Sequence, residues 1–253
     1  MDSVSQIALG AAVGVATMGR RTAPWKAALW GAVAGTLPDL DVLIDHGDAI
    51  RNMVLHRAET HAPFWLTLFS LPFAAAVARL HREWDRWRRW WLAMWLALVT
   101  HPLLDGMTVY GTQLLLPFTN QPYGVGSVFI IDPLYTLPLL AGTIWALRSN
   151  GRGLAGRRGQ TANIAGLVLS TAYLGWGVWA QTQVEGIARQ ALAAQGIAAE
   201  RVLITPTAFN SVLWRVVVIE GGHYHEGFRS LLDKGAAMHF DRFERGTAQA
   251  APL

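Results

Sequence analysis

The sequence predicts a mainly α, polytopic membrane helix bundle with a small C-terminal α+β extramembrane domain. Three observations lead there. Hydrophobic residues make up 52% of the 253 and charged residues only 15%, against about 25% charged in ordinary soluble domains. Six apolar stretches follow one another through the first 183 residues, and the basic residues collect in alternate connections between them. The 12 Trp suit a chain that meets the bilayer interface, where Trp is enriched. With no cysteine there is neither a disulfide framework nor a thiolate metal site, so any metal must be held by His, Asp, Glu or backbone oxygen. The net charge of +4 would suit a nucleic-acid partner, but the placement of the basic residues between apolar stretches argues for topology and against nucleic acid.

The stretches run roughly over 4–19, 24–37, 62–80, 90–104, 127–147 and 161–182. A bilayer core takes about 20 helical residues, which 62–80 and 161–182 supply alone. The first two are short and rich in Ala and Gly. Gly10, Gly14, Gly31 and Gly35 stand at the GxxxG spacing that lets two helices touch. The fourth begins at Trp84, Trp87, Trp90 and Trp91, an expected interfacial anchor. Asp132, Pro133 and Pro138 predict a break or tilt in the fifth. The first stretch reads as a retained helix, because Arg20 and Arg21 follow the apolar run and do not precede it, the reverse of a secretory signal.

After Gln183 the character changes. Val184, Ile187, Ala188, Ala191 and Leu192 predict a short amphipathic helix over 184–196. Segments 201–205 and 212–220 are β-branched, with Gly221-Gly222 as a hairpin turn. The chain from about Gly246 looks frayed. The division expected is a transmembrane domain over 1–183 and an extracytoplasmic domain over 184–253.

Connections 20–26, 79–90 and 148–160 hold 12 of the 21 Lys and Arg, whereas 38–61 and 105–126 hold only Arg51 and Arg57. The positive-inside rule puts the first three in the cytoplasm and both termini outside. Asp39, Asp41, Asp45, His46, Asp48, His56, Glu59, His61, His101, Asp105 and Asp132 then gather at the outer ends of the helices. Ionisable groups at membrane depth are costly and usually functional. His101 and Asp105, four apart in a helix, share one face and could grip a cation, although a plain His–Asp hydrogen bond gives the same spacing. Asp39 and Asp41 follow Pro38 and would repel each other without a cation or donor between them. His56 and His61, five apart, would stand about 140° apart on one helix and converge more easily if His56 lies in a loop and Pro63 begins the next helix. Asp132 before Pro133 suits helix capping as well as it suits a metal. His81 in a basic loop reads as solvated, and His223 and His225 share one strand face, for which water is the expected neighbour. No Walker loop, Rossmann fingerprint or nucleophile elbow is present.

Three segments in order, Pro38-Asp39-Leu40-Asp41, His56-Arg57-Ala58-Glu59-Thr60-His61 and His101-Pro102-Leu103-Leu104-Asp105, resemble the motif series of the bacterial inner-membrane metal-dependent hydrolases of the YdjM/YfhP-like family. Tyr110-Gly111-Thr112-Gln113 and Ile131-Asp132-Pro133-Leu134-Tyr135 resemble its downstream segments, and 206–218 the C-terminal region of some members. The resemblance implies an inner-membrane location, a divalent metal ion (Zn, with Mn or Mg as alternatives) and Asp39, Asp41, His56, His61, His101 and Asp105 as metal residues. Members often carry a Thr-His segment near the start, where this chain has Ser5-Gln6. That change either removes a ligand or leaves Gln6 as an oxygen donor. Ala58 and Ala62 also replace the usual small residues of the HRGxTHS pattern.

A metal-dependent hydrolase is the function expected, with a metal-activated water attacking an ester or phosphoester. Glu59, between the two histidines, is the candidate general base. A site at the membrane surface favours the bilayer as partner and a lipid-linked substrate. The competing readings are a cation-binding transporter, which should leave a polar route across the membrane, and an assembly protein whose polar cluster only holds helices together.

Overall fold

The structure, a computed structural model, describes residues 1–45, 47–48, 51–52, 55–149, 153–235 and 237–246. His46 and the expected frayed tail beyond Gly246 lie outside the described residues.

The chain opens with a helical hairpin, α1 (Ser3–Met18) and α2 (Pro24–Thr36). The Asp2 carboxylate accepts from the Val4 and Ser5 amides and caps α1, while Pro24 starts α2, where a missing amide costs nothing. The glycine reading holds. A Cβ on Gly10 would overlap the Gly31 carbonyl and one on Gly31 the Gly10 carbonyl, while one on Gly35 would lie 2.6 Å from the Gln6 carbonyl oxygen. Short 3₁₀ turns follow at Pro38–Leu43 and Glu59–His61. Then come α3 (Pro63–Leu80), α4 (Trp87–Asp105), α5 (Pro133–Arg148) and α6 (Leu154–Gln195). The fifth apolar stretch becomes helical only at Pro133, with the Asp132 carboxylate accepting from the Leu134 amide at 3.0 Å.

Among the described residues, α3 alone is both long and apolar enough to cross a membrane; α1 is apolar but shorter. Helices α1, α2 and α5 stop after 16, 13 and 16 residues, short of the ~20 a bilayer core takes. Leu29, Trp65, Phe69, Leu137, Trp145 and Trp179 nevertheless point outward and exposed.

One expectation needs correcting: the amphipathic segment over 184–196 is no separate helix. It is the far end of α6, a single 42-residue helix of about 63 Å. No proline interrupts the run, and the left-handed Gly196 ends it. One apolar core joins α1, α2, α3, α4 and α5; a second lies between the far end of α6 (Ala180, Val184, Ala188) and the sheet residues Trp214, Val216 and Val218.

The sheet is an antiparallel meander, β1 (Arg201–Pro206), β2 (Leu213–Glu220), β3 (His223–Ser230) and β4 (Asp241–Glu244). Glu220 faces His223 across the expected Gly221-Gly222 turn. On β2, Trp214, Val216 and Val218 are buried and alternate with more exposed neighbours, as one covered face requires.

Candidate metal centre

Four side chains converge where α2, the two 3₁₀ turns and α4 meet. Asp39 stands on the first turn, His61 on the second, and His101 and Asp105 one helical turn apart at the end of α4. His61, His101 and Asp105 are fully buried. The two imidazole Nε2 atoms lie 3.0 Å apart. Asp39 Oδ1 is 3.4 Å from His61 Nε2 and 3.3 Å from His101 Nε2; Asp105 Oδ2 is 3.4 and 3.6 Å from the same two atoms. All four donor atoms fall within 4.8 Å of one another. Bonds of about 2.0–2.1 Å to a tetrahedral ion imply ligand–ligand separations of about 3.3–3.4 Å. The five separations above, 3.0–3.6 Å, bracket that value.

Hydrogen bonds behind the histidines decide what their Nε2 atoms offer. His101 Nδ1 donates to the Gly35 carbonyl at 2.7 Å, so Nδ1 carries the proton. The Thr60 hydroxyl donates to Asp41 Oδ2 at 2.6 Å, which leaves its oxygen to accept from His61 Nδ1 at 3.0 Å. In the neutral rings both Nε2 atoms are therefore bare lone pairs. Two lone pairs and two carboxylate oxygens then face one point, an arrangement that needs a positive charge at its centre. Burial opposes the charged His61 ring, but the neighbouring Asp105 and Asp39 carboxylates outweigh it and raise the His61 pKa. Burial would also raise the Asp39 carboxyl, yet the His101 and His61 rings hold it well below the usual carboxylate range. Asp105 Oδ2 has no hydrogen bond among the described residues, as fits an atom reserved for a cation.

Asp41 lies behind the cluster. On a 3₁₀ turn, residues two apart point about 240° apart, so Asp39 turns inward while Asp41 backs the histidines. Its Oδ1 accepts from His56 Nδ1 at 2.8 Å, and its Oδ2 accepts from Thr60 and from the Arg57 amide. Of the six residues expected at the metal, the structure brings four together and sets Asp41 and His56 beside them. Gln6, fully buried on α1, donates to Asp105 Oδ1 at 3.1 Å and to the His101 carbonyl at 3.2 Å. The Met1 amino group also pairs with Asp105 Oδ1. Gln6 Oε1 is buried with no hydrogen bond among the described residues.

The other candidates stand apart. Glu59 is exposed, with no hydrogen bond from its carboxylate to the four donors. Asp132 caps α5 and accepts from Tyr173 at 2.8 Å. Asp45 and Asp48 accept from nearby backbone amides, at Gly47 and Arg51. His81, expected in water, accepts from Trp30 Nε1 at 2.6 Å and stacks on Trp90. His225 is buried against Glu220 at 2.9 Å, contrary to the expected water, and its strand partner His223 faces Arg242. Sequence reasoning missed the Gly35 carbonyl, a backbone group with no signature, and the Thr60 hydroxyl, whose only signal is its place beside His61.

The chain is thus a helical protein with an outward-facing apolar surface and a buried Asp/His cluster that could hold a metal ion. A family model narrows it. The YdjM inner membrane protein model matches residues 1–184, and the chain belongs to that family. It is also similar to the uncharacterized protein YfhP of Bacillus subtilis (strain 168), 29% identical over 155 residues, which cover 57% of this chain and 46% of that protein. The chain thus spans about half the length of the curated relative it matches. No solved structure matches the chain significantly.

Proposed function

We propose that this chain is a multi-pass inner-membrane hydrolase whose metal centre is Asp39, His61, His101 and Asp105. The single observation behind the reading is the convergence of two imidazole nitrogens and two carboxylate oxygens within 4.8 Å of one another. Neutral imidazoles with carboxylates suit Zn²⁺, with Mn²⁺ and Mg²⁺ as the harder alternatives. A divalent cation held by Asp39, His61, His101 and Asp105 would lower the pKa of a water and polarise the bond to be cleaved.

The chain's own groups do the rest. Asp41 and Thr60 fix the His61 ring, and Gly35 fixes His101. His56, held at Nδ1 by Asp41, lines a cavity of about 830 Å³ beside the cluster. We assign the general base to His56 and not to Glu59, whose carboxylate is exposed and apart from the donors. His56 would take a proton from the attacking water as its oxygen bonds to the acyl carbon or phosphorus, and return it to the leaving alkoxide as the ester bond breaks.

The exposed apolar side chains of α3, α5 and α6 support the bilayer as partner, and the alternation of basic connections supports an outer-face site. On this reading 1–183 is the membrane domain and 184–253 an extracytoplasmic one. The test is hydrolysis of phosphate and carboxylate esters in detergent micelles by the purified chain, with and without chelator, beside His56→Gln and Glu59→Gln. Metal retained with turnover lost in His56→Gln, and turnover kept in Glu59→Gln, is the expected result; the reverse pattern reassigns the base to Glu59. Ester turnover that survives chelation contradicts the metal-dependent reading.

A further inference from the structure

Arg57 lies beside the cluster, and the proposed reaction does not use it. Its backbone is in the left-handed region at φ 68°, a conformation a residue with a Cβ rarely adopts. That conformation is fixed on both sides: the Arg57 amide donates to Asp41 Oδ2 at 3.2 Å, and its carbonyl accepts from the Gln113 amide at 3.1 Å. Strain of this kind persists where the surroundings over-determine it, and such sites include ligand clamps. The side chain is only 9% exposed. Its Nε, 3.4 Å from Asp105 Oδ2, makes no hydrogen bond among the described residues, and Nη1 reaches Thr108 Oγ1 only at 3.5 Å. The guanidinium lies 5.4 Å over the Tyr110 ring. A buried guanidinium with five donors is thus left with one long hydrogen bond, although burying such a group is costly unless its donors are met.

The same side chain lines the 830 Å³ cavity that His56 faces. Beyond those two, much of the wall is apolar, with Val42, Ile44, Val109 and Tyr110 all exposed around it. The carboxylate of Asp41 also lines it, but accepts from His56, Thr60 and the Arg57 amide. The cavity therefore carries a guanidinium whose Nε lies 3.4 Å from Asp105, and an apolar stretch of wall beyond it.

We propose that Arg57 is the anion-recognising residue of this site and that the substrate is a phosphate-bearing amphiphile, its phosphate on Arg57 and its apolar chain along Val42, Ile44 and Val109. This rests on the hydrolase reading and selects among its substrates. A neutral carboxylic ester adds no negative charge to the one Asp105 already sets 3.4 Å from Nε, whereas a phosphate oxygen pair matches the remaining planar fork. The apolar wall separates a lipid phosphate from a soluble one.

The test uses the full chain in detergent. Binding of inorganic phosphate, and of phosphatidic acid in mixed micelles against micelles of phosphatidylcholine alone, is measured for wild type, Arg57→Gln, Arg57→Lys and Ile44→Glu. Metal content is measured on the same samples. Wild type is expected to bind both phosphate probes, the micellar one more tightly. Arg57→Gln should lose about tenfold or more for both while keeping its metal, since a charge-assisted hydrogen bond is at stake. Arg57→Lys should fall between, and Ile44→Glu, an exposed position, should lose only the micellar advantage. Unchanged phosphate binding in Arg57→Gln overturns the proposal, as does loss of metal in both Arg57 variants, which would make Arg57 a support for Asp105. Equal binding of the two probes, insensitive to Ile44→Glu, overturns the amphiphile. A metal-free wild type that still binds phosphate through Arg57 removes the hydrolase reading and leaves this one standing.

Discussion

At the scale of single residues, the centre depends on groups that hold the ligands as much as on the ligands. His101 presents Nε2 because Gly35 accepts from its other nitrogen, and His61 does so because Thr60 and Asp41 back it. Alanine at His61, His101, Asp39 or Asp105 should remove most bound metal, because ligands of one site act together. Asp41→Asn should instead weaken binding about 10–100-fold, the usual effect of losing an outer-shell partner. His81→Ala and His239→Ala should leave metal content unchanged, and equilibrium dialysis of the set reads all three classes. The pairing of His101 with Asp105 was legible in the sequence, because helical periodicity alone places i and i+4 on one face. The separation of Asp39 from Asp41 was not, because it depends on a 3₁₀ turn that no pattern announced. His56 likewise reads as a ligand from its motif, and only the 2.8 Å bond to Asp41 moves it to the cavity wall.

Between elements, the tightest fit is the α1–α2 hairpin. The glycine spacing announced it, since only residues without a Cβ allow such contact. Gly31→Val should force the helices apart and cost about 1–3 kcal/mol, the range for overpacking. Because Gly35 and Gln6 sit on those helices and touch His101 and Asp105, the variant should also lose metal; thermal melts and elemental analysis together check this. At the other end of the bundle, Glu83 accepts from Thr22, Lys26 and Trp90 and ties α2 to α4. Burial would raise its carboxyl, but these three donors lower it. A depressed folded pKa means that the contribution is complete above the unfolded value of about 4.3 and is lost as pH falls through the lower folded value. Stability of Glu83→Gln should accordingly be lower at neutral pH and depend less on pH below about 4.5. A wild-type acid profile in that variant contradicts the tie. The continuity of α6 was illegible for the opposite reason to the hairpin: hydropathy changes near Gln183, and a change of composition resembles a change of element although the backbone continues.

Over the whole molecule, the long helix α6 joins an apolar-surfaced bundle to a sheet with its own core. On the proposed topology the metal cluster and the sheet share the outer side, and the connections rich in arginine face the cytoplasm. Single cysteines at Ser149 and near the C-terminus, in a chain with none of its own, should label only from inside and only from outside respectively. A C-terminal cysteine reached only from the cytoplasm reverses the orientation. The central claim is the metal centre itself. Elemental analysis of wild type beside His61→Ala and His101→Ala, each purified with divalent metal supplied, tests it most directly. About one tightly held divalent ion per wild-type chain, lost from both variants, is the predicted result; equal metal in all three, or none in wild type, would contradict it.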